Sequence, residues 1–353
     1  MSSVWGRKLT ITVFGQSHAD AIGVVVDGLP AGFRVDREQL QAFLKRRAAS
    51  GPFATSRVEP DVPEFVSGLL DDVTCGAPIT ALIRNTNVRS GDYRDLRDHP
   101  RPSHADYPAS VRFDGMNDVR GGGQFSGRLT AALCVAGGLC LQFLKSKGIE
   151  VGAHIASIAG VQDIPFDAVN VSPVDFVTDA FPVRDASAKQ QMQQRIADAK
   201  QNGDSVGGII ECAVVGLPAG IGDPLFDGLE NRISSLMFGI PAVKGIEFGN
   251  GFAAAEMCGS TNNDAYYFDN GVVKTRTNRN GGIAGGISTG MPLICRVAVK
   301  PTPSIAKEQE TVELSSKTAY TLVVGGRHDP CIVPRAVPCT EAVLGIVLAD
   351  YLV

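Results

Sequence analysis

The chain is poor in aromatic residues, at 7% with a single tryptophan, and has no surplus of basic charge: 33 Lys and Arg stand against 37 Asp and Glu, a net charge of −4. Nucleic-acid binders usually show a basic excess, so a pI of about 5.8 argues against that class. None of the eight cysteines forms a CxxC pair or stands at metal-ligand spacing from a histidine, so no zinc site is expected. Each reads instead as a small buried residue with a reduced thiol. No run approaches the ~18 apolar residues of a membrane span, and residues 1–10 lack the apolar core of a secretion signal. The expectation is a cytoplasmic protein with no metal, no membrane and no nucleic-acid partner. Pro/Ser-rich linkers and charge blocks are missing as well, so composition offers no place to divide the 353 residues. A single domain over residues 1–353 is expected.

What is present is an ordinary globular composition, 44% hydrophobic and 20% charged, which excludes disorder. Residues 22–26, 209–215 and 293–299 are rich in β-branched side chains and bounded by Gly or Pro, which predicts strands. Residues 36–47 open on a capping Asp36, place Leu40, Phe43 and Leu44 on one face, and end in basic residues suited to a helix C-terminus. Residues 129–147 are apolar nearly all round and predict a buried helix, whereas residues 188–201 predict a solvated helix stopped by Asn202-Gly203. Strands and helices without strict alternation favour an α+β sandwich over a doubly wound sheet. Gly28-Leu29-Pro30-Ala31-Gly32 recurs as Gly216-Leu217-Pro218-Ala219-Gly220, each time after a strand. That fits two similar halves, or simply a shared turn.

The chemistry concentrates in a few segments. From Arg46 to Leu144 there are eleven arginines and no lysine. Arginine grips carboxylate and phosphate with a planar fork, which favours a small, multiply anionic ligand. The competing account is an ion-pair network with Asp92, Asp95, Asp98, Asp106, Asp114 and Asp118. Arg120-Gly121-Gly122-Gly123-Gln124-Phe125-Ser126-Gly127-Arg128 is a glycine-rich loop feeding a buried helix, an arrangement that cradles anions, though it matches neither the P-loop nor the Rossmann fingerprint. Ser126 could equally be an ordinary cap. Three of the five histidines, His18, His104 and His328, lie in polar segments beside hydroxyls or carboxylates, as proton-transfer groups do. His99 and His154 lack that context and read as structural. Lys300-Pro301-Thr302-Pro303-Ser304 is a proline-fixed loop carrying a cation and hydroxyls.

In order along the chain, Gly15-Gln16-Ser17-His18, the Arg120 to Thr130 loop, Ala242-Val243-Lys244-Gly245, Gly281-Gly282-Ile283-Ala284-Gly285-Gly286, the Lys300 loop, and Gly325-Gly326-Arg327-His328-Asp329-Pro330-Cys331 resemble the motifs of the chorismate synthase family. The resemblance implies a β-α-β sandwich and a homotetramer. It implies the anti-1,4-elimination of phosphate from 5-enolpyruvylshikimate 3-phosphate, with reduced FMN required but no net redox change, and NADPH as a candidate reductant. By position, Ser17, Arg46, Arg47, Ser126, Arg128 and Arg327 match substrate-gripping residues. His18 matches the group that protonates the leaving phosphate, His104 the one that meets reduced flavin, and Asp329 the one that helps remove the substrate proton through the flavin. The matching flavin positions are Arg47, Gln124, Phe125, Ser126, Ala242, Gly285, Lys300, Pro301, Thr302, Pro303, Ser304 and Arg327.

The chain also departs from the family pattern. Gln16 stands where many members have Glu, Gln124-Phe125 where many have Arg-Ser, and Arg279-Asn280 where His-Ala is common. No arginine follows Arg47 within residues 48–53, which weakens an NADPH site and points to a separate flavin reductase. Two other functions use the same features: an FMN-dependent NAD(P)H oxidoreductase, which turns over nicotinamide, and a non-catalytic flavin or phosphometabolite binder, which has no need of His18, His104 or Asp329.

Overall fold

The computed structural model of the chain describes residues 3–48, 59–87, 95–325 and 328–353. One five-stranded antiparallel sheet has the order β1 (Val4–Gly6), β2 (Thr10–Gly15), β3 (Ala21–Asp27), β7 (Ile79–Arg84), β4 (Glu64–Ser67), with a small hairpin β5 (Leu69–Leu70) and β6 (Val73–Thr74) beside it. The second has the order β9 (Val161–Gln162), β8 (Glu150–Ile158), β10 (Gly208–Val215), β16 (Leu293–Val299), β11 (Val243–Phe248). Three further hairpins project from this frame: β12 (Tyr266–Asp269) with β13 (Val272–Thr275), β14 (Ile283–Ala284) with β15 (Ile287–Ser288), and β17 (Glu308–Glu313) with β18 (Thr318–Val323).

Between the sheets run α1 (Arg37–Arg47), α3 (Thr130–Ser146) and α7 (Val333–Leu352); α3 packs on β2, β3 and β7, and α7 on β8 and β10. The outer helices are α2 (Asp106–Arg112), α4 (Ala186–Gln201), α5 (Leu229–Met237) and α6 (Gly259–Asn262). This is the α+β, β-α-β layering expected. The apolar core is continuous from Leu9 in the first half to Ala349 at the end of α7. By length and composition Gly127–Ser146 would suffice to cross a membrane, contrary to the expectation of no such run. Its apolar side chains are instead taken up by α1, α7 and the first sheet, which is why a residue set polar on no face belongs at the centre of the molecule.

The repeated pentapeptide marks a real duplication. Strands β2, β3, β7, β4 occupy the same sheet order as β8, β10, β16, β11, and in each half a helix follows the pentapeptide and another follows the last strand. Detail repeats too: the Thr74 hydroxyl donates to the Pro30 carbonyl and the Ser288 hydroxyl to the Pro218 carbonyl, both at 2.6 Å. Gly32 N–H donates to Thr74 O at 2.8 Å, and Gly220 N–H to Ser288 O at 2.9 Å. Gly28 and Gly216 have φ of +101° and +79°, and a Cβ on either would lie 2.1 Å from the carbonyl oxygen of Lys8 or Gly148. Only glycine can make that turn there.

Local sequence signals account for the helix ends. Asp36 accepts from Gln39 N–H at 2.9 Å and starts α1, and Lys45, Arg46 and Arg47 close it. α4 starts at Asp185, earlier than expected, and ends at Asn202 with Gly203 at φ +65°. α7 has no counterpart among the sequence expectations. Its prolines Pro334 and Pro338 argue against a helix, yet Pro334 lies in the first turn, where no N–H is needed, and Pro338 forgoes one hydrogen bond in a helix buried from Ala336 to Asp350.

Candidate active site

At one end of the central helices lies a cavity of about 570 Å³, walled by the glycine-rich loop, the start of α3, the segment before β11, the Lys300 loop and the approach to α7. Its floor is an ion-pair cluster. Arg47, at the end of α1, donates to Asp61 Oδ2 at 2.7 Å, and Arg128, just before α3, donates to the other carboxylate oxygen. Asp61 is 2% exposed and has φ of +46°. Burial alone would raise its pKa, but the charges of Arg47 and Arg128 outweigh that and hold the carboxyl below its ordinary value. Two guanidinium groups thus share one carboxylate, and Glu59, also buried on the cavity wall, acts on the Arg128 charge.

A second cluster stands on the opposite wall. Arg101 donates to both oxygens of Asp106, at 2.7 and 2.8 Å, and to Ser304 Oγ at 3.0 Å. His104 Nδ1 lies 2.6 Å from Asp106 Oδ1. Burial raises the Asp106 carboxyl, but the bonds from Arg101 and His104 dominate and hold it well below the carboxylate range. An ionised Asp106 fixes the Nδ1–H tautomer and leaves Nε2 as the working edge; the His104 ring edge passes 3.4 Å from where a Cβ on Gly122 would sit.

The glycine-rich loop has φ of +59°, +81° and +54° at Gly121, Gly122 and Gly123. A Cβ on Gly121 would lie 2.6 Å from Ser17 Oγ and 2.7 Å from His18 Nε2. Ser17 and His18, both buried, therefore sit immediately behind the Gly121 stretch of wall. Ser126 does act as a cap, accepting from Arg128 N–H at 3.3 Å, and still faces the cavity. Gln124 and Phe125 are exposed on the rim, and the Phe125 ring leans on Phe113 with centroids 6.5 Å apart.

On the remaining walls, Ala242 holds φ of +72° and Lys300 Nζ donates to Ser103 O at 2.5 Å. Thr302 Oγ1 is buried with no hydrogen-bond partner among the described residues, a polar atom on the wall that awaits a ligand. Asp329 is bound by Arg335, whose Nε also donates to Arg47 O at 3.0 Å. His328 lines the cavity, donates from Nε2 to Gly325 O at 2.9 Å, and is kept below its ordinary pKa chiefly by burial.

Five expected site residues are not on the cavity wall: Ser17 and His18 lie behind it, and Arg46, Gly285 and Pro301 lie elsewhere. Arg46 makes a fork to Glu341 on α7, with bonds of 2.6 and 2.8 Å, because neighbouring helix residues point about 100° apart: Arg47 faces the cavity and Arg46 the α1–α7 seam. Gly285, at φ +63°, sits in the β14–β15 turn and is not on the cavity wall, nor is Pro301. Arg327, Asp92 and residues 49–53 lie outside the described residues. The ion-pair account holds for several arginines, including Arg120 with Asp118 at 2.8 Å and Arg101 with Asp106. Asp61 escaped the sequence reading, since its only local signal is the Glu59-Pro60-Asp61-Val62-Pro63 setting. Arg101 is one of the eleven arginines between Arg46 and Leu144, and neither it nor Arg335 carries a role of its own in the sequence reading.

The family model for chorismate synthase matches residues 9–353. The chain belongs to the chorismate synthase family. A chorismate synthase from Thermococcus gammatolerans is 45% identical over 348 residues, covering 98% of this chain and 96% of its own length. One from Lancefieldella parvula is 44% identical over 366 residues, covering 100% of this chain and 96% of its own. A crystal structure of chorismate synthase superposes with a TM-score of 0.75 at 27% identity, over 99% of this chain and 92% of that one. The likeness to chorismate synthases thus runs over nearly the whole length of the chain.

Proposed function

We propose that this chain is a chorismate synthase, a lyase that eliminates phosphate from 5-enolpyruvylshikimate 3-phosphate in the last step of the shikimate pathway, with reduced FMN bound in the cavity beside the substrate. The observation that carries the reading is the convergence, around one cavity, of the Arg47–Asp61–Arg128 cluster, the His104–Asp106–Arg101 cluster and Asp329. The cavity suits a large flat cofactor: glycine backbone at Gly121 and Gly127, the Pro303 and Phe125 surfaces, and the unpartnered Thr302 hydroxyl. Gln124, Ser126, Ala242, Lys300 and Ser304 would complete that contact. Reduced FMN, when bound, supplies electron density to the substrate carbon losing phosphate and a ring nitrogen basic enough to take a proton.

The protein's part follows from its charges. Arg47 and Arg128 orient the anionic substrate without leaving it overbound, because Asp61 already neutralises one of them. His18, behind Gly121, hands a proton to the departing phosphate, and Ser17 steadies that oxygen. His104, its Nδ1–H held by Asp106, presents Nε2 to the flavin as an acceptor, and Asp329, its carboxylate fixed by Arg335, would help a bound flavin take the substrate proton. We infer the same single-domain, cytoplasmic homotetramer as the family pattern implies, with Arg327 as an additional anion contact. NADPH reduction by this chain is the weaker part of the reading, since no arginine follows Arg47 before Phe53.

The test is an anaerobic assay with photoreduced FMN and 5-enolpyruvylshikimate 3-phosphate, following chorismate absorbance and released phosphate. Equal yields of both products are expected. Steady NAD(P)H oxidation without chorismate would identify a flavin reductase instead, and ligand binding with no product a non-catalytic binder.

A further inference from the structure

Cys339 is on the cavity wall, in the second turn of α7, and Cys134 lies behind it in the second turn of α3. Their sulfurs are 3.8 Å apart, with the Cys134 thiol directed at Cys339. The two helices run side by side in the same direction and are unusually close here. One turn further on, a Cβ on Gly137 would lie 2.2 Å from Ala342 Cβ, and one turn beyond that Gly345 meets Leu141. With no side chain at Gly137 to hold the backbones apart, the pair can close to a sulfur–sulfur bond of about 2.05 Å by side-chain rotation and a small shift.

The two thiols differ chemically. The bond from Cys134, followed by Arg47, Thr130 and Arg335, favours the Cys339 thiolate, whereas burial pushes the Cys134 thiol up. Cys140 and Cys331 are pushed up by burial, Cys331 to about 12. Cys339 therefore joins a stabilised thiolate, a cavity that a small oxidant can enter and a resolving thiol at contact distance.

We propose that Cys339 and Cys134 form a peroxide-reactive dithiol at the base of the cavity, closing to a disulfide that ties α3 to α7. In the first step the Cys339 sulfur takes one oxygen from hydrogen peroxide, becoming a sulfenic acid and releasing one water. In the second the Cys134 sulfur attacks it; the S–S bond forms, and the hydroxyl leaves with the thiol proton as a second water. Two thiols lose two electrons in total, and one peroxide is reduced to two waters. Closure draws the Cys339 sulfur away from Arg47 and so changes the charge facing the anion cluster.

The experiment treats the purified full-length protein with hydrogen peroxide at pH 7.5, quenches with an alkylating reagent, and maps all eight cysteines by peptide mass spectrometry. The expected product is a Cys134–Cys339 linked peptide, reversed by dithiothreitol and formed about tenfold faster than oxidation of the exposed Cys75 and Cys258, because the resolving thiol stands at contact distance. Cys134→Ser should stop at a Cys339 sulfenic acid that dimedone traps, and Cys339→Ser should leave Cys134 reduced. The proposal is overturned if Cys134 and Cys339 stay reduced while Cys75 or Cys258 is consumed, or if Cys134 oxidises as fast without Cys339. The wild-type map decides even if a variant does not fold. Because the readout is thiol state, the result stands whether or not the elimination assay succeeds.

Discussion

Replacing Asp61 by asparagine should destabilise the protein and uncover an anion site in one step. The substitution keeps shape but removes the negative charge shared by Arg47 and Arg128, both almost wholly buried. Breaking a buried ion pair from one side costs about 3–5 kcal/mol, since the remaining charge is left uncompensated. At ~2 cal/mol/K of unfolding entropy per residue, that corresponds to a melting temperature roughly 4–7 °C lower. The pH dependence has a definite sign. The folded carboxyl titrates below its unfolded value, so the stabilisation is complete above about pH 4 and is lost as pH falls through the lower folded value. Calorimetry should show a constant gap between wild type and Asp61→Asn from pH 5 to 8 and a narrowing gap in acid. Inorganic phosphate should raise the melting temperature of the variant more than that of the wild type, because the anion replaces the missing charge. A gap below about 1 °C at pH 7, with no extra protection by phosphate, would refute the shared-carboxylate account.

Three smaller predictions probe the wall. His18→Ala should lower kcat about 10²–10⁴-fold with FMN affinity unchanged, as for loss of a general acid; an unchanged rate assigns His18 to structure. Asp329→Ala should retain flavin binding by fluorescence titration yet lose most elimination, and weakened flavin affinity with normal turnover at saturating FMN would reverse that role. Gly121→Ala adds a methyl group within 2.7 Å of His18 Nε2 at a φ of +59°, a backbone cost of about 1–2 kcal/mol. Its kcat should fall far more than its stability, and a loss of stability alone would show that the wall does not hold His18 in place.

Local order determined much of this molecule. The cap at Asp36, the stop at Asn202-Gly203, the strand at Leu293–Val299 and the buried helix after Arg128 follow from residues within a few positions of one another, so the sequence displays them directly. The recurrence of Gly-Leu-Pro-Ala-Gly left two similar halves and a mere shared turn both open, and the matching strand orders decide for the halves. Three of the family motifs, the Arg120 to Thr130 loop, the Lys300 loop and the segment around Asp329, picked out cavity walls because they are contiguous stretches of chain, whereas the Gly281 to Gly286 motif lies off the wall. Tertiary structure alone decided how the charges are spent. Arg46 and Arg47 are adjacent in sequence, yet one turns to Glu341, 295 positions away, and the other to Asp61. Nothing near Asp61 announces that it will hold Arg128, and nothing near Cys134 announces Cys339, 205 positions further on. Those pairings depend on which elements the shared core presses together, and burial then makes each charge or thiol answer to its spatial neighbour rather than to its neighbour in the chain.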